Sequence, residues 1–127
     1  MGELNFNNVM IGAAQSDTLG EFYIGVFDRQ PDMKEQGWYG WKLGAGFFSV
    51  GPHSEVTGKA AEPQRVILNF ETPDVAGEFA RIAATGAAVV KEPYEMEGMS
   101  IATFADPEGN YFQLTSPWPA PDPGPTS

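Results

Sequence analysis

His53 is the only histidine of the chain, and it stands in Gly51-Pro52-His53-Ser54 with Glu55 close behind it. Imidazole titrates near neutrality, so a histidine at a strand end can act as a general base. The plainer reading, a loop histidine exposed to water, takes precedence here. No other group offers nucleophilic chemistry. Cysteine is absent, which removes thiol nucleophiles, thiolate metal sites and disulfides together. No serine or threonine stands at motif spacing from a base, and Gly44-Ala45-Gly46 reads as a turn joining strands, not as a phosphate-binding loop.

Rings are the second chemical resource. Trp38, Tyr39, Trp41, Phe47, Phe48, Tyr94, Tyr111 and Phe112 fall on or beside strand-like runs, together with Met96 and Met99. Such side chains supply apolar contact area with polar tips. Strand alternation turns about half of them to each face. Core packing accounts for most, which leaves a few to meet a ligand.

These residues need elements to hold them. The stretch from Phe6 to Ala14 reads as a strand, and Ser16 and Asp17 as helix N-cap residues. Leu19, Phe22, Tyr23 and Val26 then follow the spacing of one buried helical stripe. Gly20 and Gly25 weaken that helix by about 1 kcal/mol each relative to alanine. The pattern recurs: Val66 to Glu71 reads as a strand, Thr72 as an N-cap and Pro73 as the first helical residue, followed by a stripe of Val75, Phe79, Ile82 and Ala83 and a stop at Gly86. A shift of 57 positions carries Val9 onto Val66, Asp17 onto Asp74 and Phe22 onto Phe79, which is an internal repeat. Strands are predicted over Trp38 to Leu43, Gly46 to Val50, Ala88 to Lys91, Ser100 to Ala105 and Tyr111 to Ser116, with the last strand of the first half near Ser54 to Thr57. Residues 51–63 read as loop and linker, and the proline-rich residues 118–127 as a disordered tail.

Length and charge narrow the field. The 127 residues, 42% hydrophobic and 13% aromatic, suit one domain over residues 1–117, with module one at about 4–60 and module two at about 64–117. Seventeen acidic against seven basic residues give a formal charge of −10, which disfavours nucleic acid and anionic membranes as partners. The early acid in Met1-Gly2-Glu3-Leu4-Asn5, with no apolar run near the ~20 residues of a membrane span, makes the cytoplasm the expected location.

The most specific stretch is Phe104-Ala105-Asp106-Pro107-Glu108-Gly109-Asn110-Tyr111-Phe112-Gln113-Leu114. Asp106 and Pro107 open a turn, and Gly109 takes its left-handed position. Together with Asn8-Val9-Met10-Ile11 and the Phe22-Tyr23 pair, this resembles the vicinal oxygen chelate superfamily of glyoxalases, bleomycin-resistance proteins and extradiol dioxygenases. The resemblance implies an α+β fold of two βαβββ modules forming an open curled mixed sheet, helices on its outer face, commonly completed as a homodimer. It also implies ligands projecting into a cup from the first and last strand of each module, usually His and Glu, which suit divalent ions.

Here that correspondence largely fails. The first histidine position carries Asn8, its second-module equivalent falls on Arg65 or Ile67, and the final glutamate position carries Gln113. The remaining position falls on Val56, beside Glu55 and near His53. Gln113, Glu55 and His53, with Asn8, are the only candidates left to gather round a metal, so no cofactor is expected and a divalent ion is the minor alternative. The preferred function is binding of a small, partly apolar or aromatic molecule by Asn8, Trp41, Phe47, His53, Glu55, Tyr94, Met99, Tyr111 and Gln113. The alternatives are a metal-dependent lyase, isomerase or dioxygenase with atypical ligands, and a non-catalytic protein-interaction subunit.

Overall fold

The computed structural model describes residues 4–117, and the predicted tail at 118–127 lies outside the described residues. The chain divides between Lys59 and Ala60 into two compact units. The first runs β1 (Asn8–Ala13), α1 (Ser16–Phe27), β2 (Met33–Glu35), β3 (Trp38–Leu43) and β4 (Gly46–Pro52). Its sheet has the order β1-β4-β3-β2, with β1 parallel to β4 and the other pairs antiparallel. The second repeats this topology as β5 (Ile67–Glu71), α2 (Val75–Ala83), β6 (Ala88–Met96), β7 (Met99–Ala105) and β8 (Tyr111–Thr115), in the order β5-β8-β7-β6. Each unit is thus a βαβββ module with a mixed four-stranded sheet that does not close, and the fold is α+β.

One sheet face in each unit lies under its helix. The predicted stripe holds: Leu19, Tyr23 and Val26 are buried, and Tyr23 meets the Phe48 ring at 4.9 Å while Phe27 meets Trp41 edge-on at 5.1 Å. In the second unit Phe79 of α2 stacks on Phe104 at 5.1 Å, and Phe104 stacks on Phe112 at 5.4 Å. The α2 cap falls two residues later than predicted. Asp74, not Thr72, accepts from the Gly77 amide at 3.0 Å, while Thr72 Oγ1 accepts from the Asp74 amide and shapes the entry.

Gly20 is a packing residue. A Cβ at this position would stand 2.5 Å from ring atoms of Tyr39, whereas one at Gly25 would meet nothing within 4 Å. Gly20→Ala is therefore expected to cost about 1–3 kcal/mol despite its better helix propensity. Gly25→Ala should stabilise by roughly 0.5–1 kcal/mol. Urea denaturation of the two variants checks both signs. The phenol of Tyr39 points past α1 to Asp17 Oδ1 at 3.1 Å and Glu21 Oε2 at 3.4 Å. Burial first, then the hydrogen bond to Asp17 and the two carboxylate charges, push its pKa up to about 12, so the phenol keeps its proton near neutral pH.

Two strands depart from the sequence reading. The expected strand at Ser54 to Thr57 is absent, and the third hairpin strand of the first unit is instead β2, ahead of β3. The Gln36-Gly37 pair joins β2 to β3, with both residues at positive φ (53° and 87°). Glu97-Gly98 (52° and 82°) does the same between β6 and β7. Two consecutive left-handed residues match the twist of a tight hairpin. The β6 strand is also longer than predicted, because bulges between Val89 and Lys91 and between Lys91 and Tyr94 break its alternation without ending it.

Candidate functional site

The uncovered chemistry lies on the sheet faces turned away from the helices. Directly paired residues in a ladder point to the same side, so the register assigns each side chain to a face. In the first unit Asn8 pairs with Phe47, and Phe47 with Lys42; Met10 pairs with Ser49, and Ser49 with Gly40. All lie opposite the helix-facing Phe48, Trp41 and Val50. Gly40 and Gly51 keep the backbone bare on this side. A Cβ on Gly40 would come within 2.6 Å of the Phe47 ring, and one on Gly51 would run into the ring of Trp38. Phe47 and Trp38 therefore lie flat on the strands, half-exposed, with Met10 62% exposed beside them.

His53 follows β4 and turns back over β1: its Cβ lies 2.9 Å from where a Gly12 Cβ would sit. Its Nδ1 accepts from the Glu55 amide at 3.1 Å, which leaves Nε2 as the ring atom available on this side. Glu55 itself is exposed in the turn after β4 and lies on no strand. That placement corrects the metal register taken from the internal repeat. Gln113 pairs with Asn69 on β5, the second strand position after Ile67, and the corresponding position on β4, facing Met10, is Ser49. Asn8 and Ile67 each open the first strand of their unit, while Arg65 lies in the short 3-10 turn before β5.

Trp41 is a second correction. It is fully buried (0% exposed), packs against Phe27 and Phe48, and donates from Nε1 to the Arg29 carbonyl at 3.0 Å. It belongs to the helix-covered face and cannot meet a ligand on the other.

In the second unit Asn69 on β5, Gln113 on β8, Thr103 on β7 and Lys91 on β6 form one polar row across all four strands. Gln113 Nε2 donates to Thr103 Oγ1 at 3.3 Å. The neighbouring rows bring in Tyr94, paired with Ile101, and Tyr111, paired with Ile67; Met99 begins β7 on the same side. Tyr94, Met99, Tyr111 and Gln113 therefore share a face. Sequence reasoning missed Asn69, Thr103 and Lys91, although alternation back from the Gln113 register reaches the first two. The bulges of β6 hid the third.

Apart from His53 Nε2, the donor atoms of these faces are poor ligands for a divalent metal. Asn8, Ser49, Asn69, Thr103 and Gln113 offer neutral oxygens only, and among the described residues no group of three or more His, Cys, Asp or Glu side chains could hold an ion. What the faces offer chemically is stacking surface bordered by hydrogen-bonding amides and hydroxyls. Among the described residues no helix is long and apolar enough to cross a membrane.

Comparison with known proteins agrees with this architecture. No curated protein sequence matches the chain. Among solved structures, a glyoxalase-related enzyme from Fulvimarina pelagi superposes with a TM-score of 0.74 at 14% identity, covering 93% of each chain. A glyoxalase/bleomycin resistance protein from Albidiferax ferrireducens T118 gives 0.71 at 21% identity, over 87% of this chain and 98% of the other. TioX from Micromonospora sp. ML1 gives 0.67 at 20% identity, over 88% and 98%. These likenesses establish the fold. The sequence profile of the Glyoxalase-like domain matches residues 8–115, from the first residue of β1 to the last of β8, and the chain therefore belongs to that family, within the vicinal oxygen chelate superfamily.

Proposed function

We propose that this protein binds a small, partly apolar, aromatic organic molecule on the helix-free faces of its sheets and does so without a catalytic metal. The observation that carries this reading is the composition of those faces: flat-lying or half-exposed rings at Trp38, Phe47, Tyr94 and Tyr111, with amides at Asn8, Asn69 and Gln113 where cation-holding side chains would be needed. Rings supply stacking area, and a few polar groups fix orientation. One solved structure of this fold is named a glyoxalase/bleomycin resistance protein, and a role in sequestering a ligand would need a surface and no reaction. We further propose that a second copy of the chain completes the site, in the cytoplasm. β1 and β5 each pair on one side only, and the apolar Leu4, Phe6 and Val66 stand exposed at their starts.

Elemental analysis of purified protein, joined to thermal-shift series with manganese, iron, cobalt, nickel and zinc salts, tests the metal-free reading. We expect well under stoichiometric metal and no shift from any salt, because an ion that bound only the native state would raise Tm by mass action. A panel of planar aromatic compounds should raise Tm by several degrees. One tightly held ion per chain, lost together with stability on Gln113→Ala, would overturn this assignment in favour of a metal-dependent enzyme.

A further inference from the structure

The basic residues of this acidic chain are unevenly used. Seventeen acidic side chains compete for seven basic ones, and four of the seven are taken: Arg29 by Asp32, Lys34 by Glu21, Arg65 by Glu62 and Arg81 by Glu78. Among the described residues Lys42, Lys59 and Lys91 have no carboxylate within ion-pair distance. Lys59 lies in the loop between the units. Lys91 stands at the end of the polar row of the second unit, with its Nζ 5.3 Å from the centroid of the Tyr94 ring. The ring holds the ammonium over the helix-free face, on a strand that also carries Glu92 and Glu95.

The next member of the row has a hydroxyl to match. Thr103 is 5% exposed, and its Oγ1 accepts from Gln113 Nε2, so its own proton remains available to donate. Cross-strand neighbours are about 5 Å apart, which puts an oxygen lying between Lys91 and Thr103 within reach of both. Gln113 Oε1 accepts from no protein donor among the described residues and can receive a hydroxyl or N–H further along the row.

We propose, resting on the reading that this face binds an aromatic molecule, that the ligand is an aromatic acid whose carboxylate sits between Lys91 Nζ and the Thr103 hydroxyl while its ring lies against Tyr94. The long-range field of a chain with formal charge −10 opposes an anion, but at physiological salt that field is screened beyond roughly 8 Å, and two donors at hydrogen-bond distance outweigh it.

Matched probes separate this from the parent reading: naphthalene-2-carboxylate and its neutral amide, titrated into 15N-labelled protein with amide shifts of β6, β7 and β8 as the readout. The carboxylate should bind about tenfold more tightly than the amide. Lys91→Gln should abolish that preference, with the carboxylate losing far more affinity than the amide, and Thr103→Val should reduce it. Lys59→Gln, which removes one positive charge from a residue on no strand, should leave the preference intact. Equal affinity of the two probes, or a preference that survives Lys91→Gln, would overturn the aromatic-acid assignment and leave the aromatic-binding reading standing. Absence of binding by either probe would overturn both.

Discussion

Trp41→Ala is expected to destabilise the protein by about 3–5 kcal/mol, and Phe47→Ala, on the opposite face of the same pair of strands, by no more than about 1–2 kcal/mol. The contrast follows from one step of strand alternation. Trp41 is fully buried and touches Phe27 and Phe48, and its indole N–H is satisfied by the Arg29 carbonyl at 3.0 Å. Truncation opens a cavity between α1 and the sheet and strips that carbonyl of its partner. Phe47 is half-exposed and rests on Gly40, so its loss exposes backbone without hollowing the core. Equilibrium urea denaturation gives the two stabilities, and a ligand titration gives the reverse ranking. Phe47→Ala should weaken aromatic binding several-fold, whereas a folded conservative variant, Trp41→Phe, should leave it unchanged. If Trp41→Phe weakened binding as much as Phe47→Ala, the assignment of faces would be wrong.

Trp41 also marks where the sequence stopped being informative. Period-2 alternation separates a strand's two faces but does not label which one a helix covers. Both Trp41 and Phe47 are large rings on good strands, and only packing against Phe27 tells them apart. The repeat of strand and helix was legible because it rests on spacing within one segment, as in Leu19, Phe22, Tyr23 and Val26. The hairpin strand β2 was not, because Met33, Lys34 and Glu35 are all exposed and leave no apolar signature. Its one local signal was Gln36-Gly37, a pair weaker as a turn signature than Asn-Gly, and the same pairing of a polar residue with glycine at Glu97-Gly98 extends β6 beyond its predicted end. Carrying the 57-residue shift of the repeat through to the last strand put the metal register at Val56, beside Glu55, whereas the matching positions, Ser49 on β4 and Gln113 on β8, stand 64 residues apart. Gln113 escaped this error because its register is set by a turn that can be read directly.

That turn sets the second large effect: Asp106→Ala should cost about 2–4 kcal/mol, and Asp106→Asn less than half as much. Asp106 is 4% exposed, and its Oδ1 accepts from the Glu108 amide at 2.9 Å, the Asn110 amide at 2.9 Å and Asn110 Nδ2 at 3.2 Å. Its own amide donates to the Asn110 carbonyl at 2.8 Å, closing the loop in which Gly109 takes φ 85°. Alanine takes that acceptor from two backbone N–H groups, one buried at Glu108 and one half-buried at Asn110, whereas asparagine keeps a carbonyl oxygen at the same place. The consequence reaches the ligand face through register. Phe104 pairs with Phe112 and Thr103 with Gln113 only while this turn holds its length, and a slip of one residue would send Gln113 to the helix side and Phe112 out of the core. Asp106→Ala should therefore lower stability and broaden the amide resonances of Thr103 and Gln113 together, while Asp106→Asn keeps both sharp. Loss of stability with those two resonances unmoved would show that the turn acts as a clasp alone and that the β7–β8 register is fixed by core packing.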